Sequence, residues 1–203
     1  YRVKRRAPVC VPYRAYEVCG MGPPSSGGLT VGQILGMLAR FDLPALGATP
    51  EGRATAYALL AEASKRAFAD RALYMADADH VAVPVGGLLD PAYLAARAAE
   101  IDPAAPVETA APGEPPREAP APRAPQTKPD RPGTTHLVVA DAQGTMISMT
   151  SSIETGFGSG LMVDGYLLNN QLTDFAFTPE KDGAPVANRP GPGKRPRSSM
   201  APT

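Results

Sequence analysis

The sequence has no tryptophan, and only two histidines and two cysteines occur among its 203 residues. That is too few for the usual Cys/His zinc sites. No apolar run approaches the roughly 20 residues that a membrane-spanning helix needs. Lysine plus arginine equals aspartate plus glutamate at twenty each, so the basic excess typical of nucleic-acid-binding proteins is missing as well. We therefore expect neither a metal nor a nucleic-acid partner.

The chain also lacks an initiator methionine and a signal peptide, because it opens with Tyr1. It ends at Thr203 without a closing element, so we expect both ends to be internal cuts. Cys10 and Cys19 can pair or remain free thiols, and a single pair does not make a disulfide framework. The compartment cannot be derived from these features.

Residues 1–101 predict a strand and turn followed by helices. Apolar residues at helical spacing predict a first helix after a cap at Thr30. Thr49 and Asp90 each precede a proline, the pattern of a cap followed by the first helical position, so they predict two further helices. These helices are expected to run toward Met75 and to stop at Asp102.

The segment 102–133 has a different composition. Ten of the 24 prolines lie there, among alanines and mixed charges, and Val107 is its only large aliphatic residue. Such a segment buries too little apolar surface to offset its ordering entropy, so it predicts an exposed, flexible linker. The region 134–203 then starts with a β-hairpin, with strands at His136–Asp141 and Thr145–Ile153. Tyr166 opens a third short strand.

The junction of linker and hairpin carries a possible nucleophile. Glycine at Gly133 permits a tight backbone before the hydroxyl of Thr134. Attack of that hydroxyl on the preceding carbonyl, followed by hydrolysis, would free Thr134 as a new N-terminus. Its amine, with an ordinary pKa of roughly 7.7–8.0, could then serve as the base for its own hydroxyl.

Four motifs extend this interpretation. In chain order they are Pro23-Pro24-Ser25-Ser26-Gly27-Gly28, Gly133-Thr134-Thr135-His136, Asn169-Asn170-Gln171 with Asp174-Phe175, and Lys194-Arg195-Pro196-Arg197-Ser198-Ser199-Met200. In this order they resemble motifs of the γ-glutamyltransferase family. The resemblance covers nearly the whole chain, which would be the middle of a family member.

The resemblance implies an α+β fold of the N-terminal-nucleophile hydrolase type, an αββα sandwich that is incomplete at both ends here. It implies self-cleavage between Gly133 and Thr134, so that residues 1–101 end a large subunit and residues 134–203 begin a small one. The two subunits would remain together as a heterodimer. It also implies γ-glutamyl transfer from glutathione-like donors to an amino acid, a peptide or water, without a cofactor, in the periplasm or outside the cell.

By position, the resemblance assigns the nucleophile to Thr134. It places Gln171 and Asp174 at the donor's α-amino group, and Ser198 and Ser199 near its α-carboxylate. That division is chemically reasonable, because a carboxylate suits an ammonium and hydroxyls suit a carboxylate.

Two positions depart from the family pattern. Ser152 replaces a threonine that orients the nucleophile, and Glu154 replaces an asparagine. The alternation of a strand predicts that both side chains face one site. A carboxylate in place of an amide adds charge and removes two donors, which puts strict glutathione specificity in doubt.

Two alternatives stay open. Glu154 favours a glutaryl or cephalosporin-type amide acylase on the same fold. A non-catalytic scaffold is favoured by two family elements expected outside this stretch, a substrate-carboxylate arginine upstream of Tyr1 and a glycine-glycine oxyanion hole beyond Thr203. Without them, residues 1–203 alone are expected to be nearly inactive. Ala176–Asn188 is a further candidate, for a partial lid.

Overall fold

The computed structural model describes residues 2–116, 121–127 and 133–203. Helices dominate the first hundred residues and β-hairpins the last seventy, which confirms the α+β class. Among the described residues no helix is long and apolar enough to cross a membrane. The helices are α1 Gly27–Leu38, α2 Leu43–Leu46, α3 Pro50–Tyr74, α4 Val85–Leu88 and α5 Pro91–Ala99, and a 3-10 turn spans Gln171–Asp174.

The strands pair, within the described residues, as four antiparallel two-stranded sheets. The first hairpin packs on α1. Its facing cysteines, Cys10 and Cys19, form a disulfide, which settles the question that the sequence left open. The pairs are β1 Val9–Tyr13 with β2 Tyr16–Gly20, β3 Thr134–Ala140 with β4 Met146–Ser152, β5 Met162–Val163 with β6 Tyr166–Leu167, and β7 Glu180–Lys181 with β8 Ala184–Pro185.

The main core lies among α1, α3 and α5. It is built from Leu29 and Met37 of α1, Leu59 and Tyr74 of α3 and Leu94 of α5. The predicted caps of α3 and α5 are confirmed, because the Thr49 hydroxyl accepts from the Gly52 N–H and the Asp90 carboxylate from the Tyr93 N–H.

Helix α1 begins at Gly27, so the predicted start at Thr30 is wrong. Two glycines open this helix although glycine disfavours helical structure. Their lack of a side chain allows other backbones to approach closely. A β-carbon at Gly27 would lie 2.6 Å from the Ala201 Cα, and one at Gly28 would lie 2.8 Å from the Gly20 carbonyl carbon. The start of α1 is therefore wedged between β2 and the C-terminal loop.

The described parts of segment 102–133 pack against the body of the protein. Pro115, Ala124 and Gln126 are buried, so the expectation of an exposed linker is wrong at these residues. The Gly113 N–H donates to Asp70 at 2.7 Å and its carbonyl accepts from the Tyr74 hydroxyl at 2.7 Å. Side chains of α3 thus form hydrogen bonds with the segment's backbone. These bonds help to hold the segment against the body of the protein although it has few apolar residues. The predicted flexibility at 117–120 and 128–132 lies outside the described residues.

Candidate active site

The hairpin β3–β4 sets the surroundings of the expected nucleophile. Thr134 pairs directly with Ser152, so their side chains lie on the same face. His136 shares this face, and its Nδ1 lies 2.8 Å from the Thr150 Oγ1. Thr135 points to the opposite face. The hairpin therefore presents a row of hydroxyl groups beside Thr134.

Ser152 contacts the peptide bond that would be cut. Its hydroxyl donates to the Gly133 carbonyl at 3.1 Å and accepts from the Glu154 N–H at 2.9 Å. A β-carbon at Gly133 would overlap the Glu154 carbonyl oxygen, so glycine permits this close packing. A hydroxyl on the carbonyl oxygen can polarise it toward attack by Thr134.

Glu154 lies beyond the end of β4, with a left-handed φ of 77°. The strand stops at Ser152, so the alternation used to predict a shared face does not extend to Glu154, and that argument is wrong. The residue is nevertheless buried at 7% exposure, beside the Gly133 junction. Its backbone lies in a turn, in a conformation that asparagine adopts more readily than glutamate.

The motif that contains Asn169-Asn170-Gln171 and Asp174-Phe175 contacts the end of β4. The Asn170 N–H donates to the Ile153 carbonyl at 3.4 Å, and its side-chain oxygen accepts from the Thr155 N–H at 3.3 Å. The adjoining 3-10 turn runs from Gln171 to Asp174, both half-buried. These contacts bring the expected ammonium-binding motif next to the Ser152–Glu154 turn.

The serines of the last motif meet the first motif. The Ser198 N–H donates to the Pro24 carbonyl at 3.0 Å, and its carbonyl accepts from the Ser26 N–H at 2.9 Å. Its own hydroxyl accepts from the Met200 N–H at 3.1 Å. The Ser26 hydroxyl also donates to the Ser198 carbonyl, at 3.0 Å, and does not cap α1.

Arg71, near the end of α3, connects the same two motifs. It is buried, donates to the Ser26 hydroxyl at 2.7 Å and also donates to the Ser199 hydroxyl. The two motifs that lie far apart in the sequence therefore form one cluster around a buried guanidinium. Sequence reasoning quoted both motifs but gave no reason to join them through Arg71.

Asp77 forms a hydrogen bond with the backbone of the last motif. It is fully buried, and its carboxylate accepts from the Arg195 N–H at 2.8 Å. Its neighbour Asp79 binds Arg6 at 2.8 Å and Lys4, and these two hydrogen bonds hold the pKa of Asp79 well below its usual range. Residues near the N-terminus and the last motif are thereby both bound to the two aspartates of the segment that follows α3.

Asn188 joins the motif expected to bind the donor's ammonium to the motif expected to bind its carboxylate. Its amide nitrogen donates to the Asp174 carbonyl at 2.7 Å, and its amide oxygen accepts from the Arg197 N–H at 2.8 Å. From the sequence, Asn188 was named only as the end of a candidate lid, and Arg71 and Asp77 were given no role. An asparagine between two of the quoted motifs is a signal that could have drawn attention to it.

A family model and curated relatives of known name both match this chain. The family model described as Gamma-glutamyltranspeptidase matches residues 1–203. The chain is 39% identical to the glutathione hydrolase proenzyme of Escherichia coli (strain K12), covering all of this chain and 34% of that protein. It is 37% identical to the acylase ACY 1 proenzyme of Pseudomonas sp. (strain SE83), again over all of this chain and 33% of that protein. The chain thus spans about a third of the length of these curated relatives.

A solved structure is similar over almost the whole chain. The cephalosporin acylase from Bacillus halodurans matches with a TM-score of 0.71 and 26% identity, covering 98% of this chain and 32% of that one. The arrangement of helices and hairpins is therefore shared with this cephalosporin acylase.

Proposed function

Because this chain belongs to the γ-glutamyltranspeptidase family, we propose that the full-length protein cuts itself between Gly133 and Thr134 and then uses Thr134 to transfer or hydrolyse γ-glutamyl amides. Donors would resemble glutathione, and the acceptor would be an amino acid, a peptide or water. The two products of the cut, ending and beginning at this bond, would stay together as a large and a small subunit.

The observation that carries the proposal is the hydrogen bond from the Ser152 hydroxyl to the Gly133 carbonyl. Attack of the Thr134 hydroxyl oxygen on that carbonyl carbon would form an ester as the peptide C–N bond breaks, and the proton would pass to the released amine. Water would then hydrolyse the ester and leave Gly133 as a carboxylate. The free amine of Thr134, with an ordinary pKa of roughly 7.7–8.0, would take the hydroxyl proton in each later turnover.

The α-ammonium and α-carboxylate of the donor would be bound by the last two of the four motifs. Gln171 and Asp174 would bind the α-ammonium, and Ser198 and Ser199 would bind the α-carboxylate. Arg71 donates to the Ser199 hydroxyl and places a fixed positive charge on the carboxylate side. The signs of the charges therefore match the two ends of an amino-acid donor.

The test uses the full-length protein. Mass spectrometry should find two fragments, the second beginning at Thr134. Kinetic assays should find release of the aniline from a γ-glutamyl anilide. An intact chain without turnover would contradict the proposal and favour a non-catalytic scaffold.

A second candidate is a glutaryl or cephalosporin-type acylase that matures by the same cut. Two observations favour it, the buried carboxylate of Glu154 beside the junction and the similarity to two acylases. A higher kcat/KM for a glutaryl anilide than for the γ-glutamyl anilide would decide for it. Glutathione hydrolase proenzymes are more numerous than acylases among the relatives compared. We therefore place γ-glutamyl transfer or hydrolysis before the acylase function.

We also propose that the protein works in the periplasm or outside the cell. The disulfide between Cys10 and Cys19 supports an oxidising compartment. Cell fractionation with an antibody to the small subunit checks this, and recovery in the cytoplasmic fraction would contradict it.

A further inference from the structure

Asn188 is a buried amide whose hydrogen-bonding groups are all used by other segments. It is 1% exposed and lies between the Asp174 motif and the last motif. Its nitrogen donates to the Asp174 carbonyl at 2.7 Å and to the Gln126 side-chain oxygen at 2.9 Å, and its oxygen accepts from the Arg197 N–H at 2.8 Å. The orientation of the amide is fixed, because a carbonyl can only accept and an N–H can only donate.

We propose that Asn188 is a positioning residue that sets the separation between the ammonium-binding and carboxylate-binding halves of the donor site. The inference rests on the proposed function. The planar amide holds the Asp174 carbonyl and the Arg197 N–H at opposite ends, so the Asp174 side chain and the neighbouring Ser198 keep a fixed distance. An amino-acid donor carries its ammonium and carboxylate on one carbon and therefore needs that distance to be constant.

The neighbouring backbone makes the restraint effective. Asn188 also accepts, through its own carbonyl, from the Ala176 N–H at 3.0 Å, so two bonds fix it to the Asp174 segment. On the other side, the Ser198 backbone is bonded to Pro24 and Ser26, which leaves the Arg197 N–H little freedom. Movement of Asn188 would be transmitted to the Asp174 side.

The third partner of Asn188 lies upstream of the bond to be cut. Gln126 is buried and its N–H donates to the Ala72 carbonyl of α3 at 3.0 Å. The contact between Gln126 and Asn188 thus joins the two future subunits. The donor site is then positioned by residues from both products of cleavage.

Removal of the buried amide leaves its partners without hydrogen bonds. Loss of such a bond changes affinity by about tenfold, the equivalent of about 1.4 kcal/mol. A role in general stability alone would affect all donors equally. A positioning role would affect most a donor that needs both halves of the site.

The experiment compares two donors that differ in one group. A γ-glutamyl anilide carries the α-ammonium and the carboxylate, whereas a glutaryl anilide has only the carboxylate. Asn188→Asp keeps the acceptor for the Arg197 N–H and loses both donated bonds, so it loosens the Asp174 side selectively. We expect KM for the γ-glutamyl anilide to rise about tenfold, KM for the glutaryl anilide to rise less than about threefold, and kcat to stay within about threefold.

Gln143→Glu is the matched control for charge. Gln143 is exposed in the turn between β3 and β4, outside the motifs that Asn188 joins, so this added carboxylate should leave both KM values near wild type. Asn188→Leu loses every side-chain hydrogen bond of Asn188 and should raise KM for both donors. If Asn188→Asp does not yield cleaved, folded protein, the neutral Asn188→Ser variant is measured in the same way, and its KM ratio decides.

Equal changes in the two KM values for Asn188→Asp, or the same shift with Gln143→Glu, would overturn the positioning role. A wild-type protein that turns over neither anilide would overturn the proposed function, and the inference with it. A wild-type protein that turns over the γ-glutamyl anilide while the variant's ratio is unchanged would overturn only the role of Asn188.

Discussion

The hydroxyl of Ser152 donates to the carbonyl of Gly133 at 3.1 Å, from the strand that pairs with Thr134. The bond exists across the junction before any cut, so it can act on the first reaction of Thr134. It points at the oxygen on which negative charge would develop during attack. Ser152 is in turn held by the Glu154 N–H, which orients its proton toward Gly133.

Ser152→Ala should slow self-cleavage. Loss of one donor to a developing oxyanion typically lowers a rate by about 10²–10³-fold. The appearance of the fragment beginning at Thr134 is followed by gel after expression in the full-length protein. Ser152→Thr, which keeps the hydroxyl, should cleave at close to the wild-type rate.

Ser151→Ala is the control for the Ser152 experiment. Ser151 pairs with Thr135 on the opposite face of the hairpin, so its hydroxyl does not face Thr134. Normal cleavage in Ser152→Ala, or an equal delay in Ser151→Ala, would show that the contact with Gly133 does not assist the reaction.

Glu154→Asn should shift preference toward γ-glutamyl donors. The change removes a buried negative charge and adds two donors, and asparagine tolerates the left-handed backbone at this position. The measurement is the ratio of kcat/KM for the γ-glutamyl and glutaryl anilides. Glu154→Gln separates the effects, because it removes the charge and keeps the length. An unchanged ratio in both variants would place Glu154 outside the donor pocket.

The disulfide of the first hairpin should contribute to stability. Cys10 and Cys19 are separated by 9 residues, and closing a loop of this size restricts the unfolded chain by roughly 2–3 kcal/mol in the chain-entropy model. The Cys10→Ser, Cys19→Ser double variant should therefore unfold at a lower Tm, measured by calorimetry. A Tm equal to that of the wild type, with the wild-type thiols shown to be oxidised by alkylation, would contradict this.

Glu62 should make stability depend on pH. Its carboxylate is buried and binds Lys65 at 2.8 Å and Arg66 at 2.8 Å, and these hydrogen bonds, that of Lys65 first, lower its pKa below the ordinary 4.5 despite burial. Because the folded pKa is depressed, this stability is present above pH 4.5 and is lost as the pH falls through the folded pKa.

Glu62→Gln tests the pH dependence. At neutral pH it should destabilise by roughly 3 kcal/mol, since it breaks the buried ion pair with Arg66. The difference from wild type should shrink as the pH falls below 4.5 and through the lowered pKa of the wild-type carboxylate. Unfolding by urea over a pH series from neutral downward measures this. A difference that does not change with pH would mean that the ionisation of Glu62 contributes nothing.

Local signals predicted the elements that depend on neighbouring residues. Thr49 and Asp90 cap their helices as their positions before proline suggested, and the β3–β4 hairpin lies where the alternating residues placed it. These features depend on hydrogen bonds within three or four residues, which a single sequence can reveal.

Features that depend on distant contacts could not be predicted in this way. The start of α1 was misplaced because the backbone that packs on Gly27 comes from Ala201. Asn188 was missed because its partner Gln126 is 62 residues away. The segment before the cut was expected to be exposed, since its composition does not reveal that Asp70 and Tyr74 satisfy its backbone. Composition reports what a segment can bury by itself and not what the rest of the fold offers it.

Thr134 should carry both maturation and turnover, with different requirements for each. Before cleavage its nitrogen is part of the peptide bond to Gly133, so the hydroxyl must attack without help from its own amine. After cleavage the freed amine serves as the base for the same hydroxyl. Thr134→Ala removes the oxygen that both steps need, so the chain should stay uncut and inactive.

Thr134→Ser and Thr135→Ala separate the hydroxyl from its surroundings. Serine keeps the oxygen but lacks the methyl group that restricts the side-chain rotamer, so it should still cut itself, more slowly, and keep a reduced turnover. Thr135 lies on the opposite face of β3, so Thr135→Ala should cleave at the same bond. The fragments are followed by gel, and the new N-terminus is sequenced. Cleavage of Thr134→Ala at the normal rate, or a new N-terminus at another residue, would rule out Thr134 as the nucleophile.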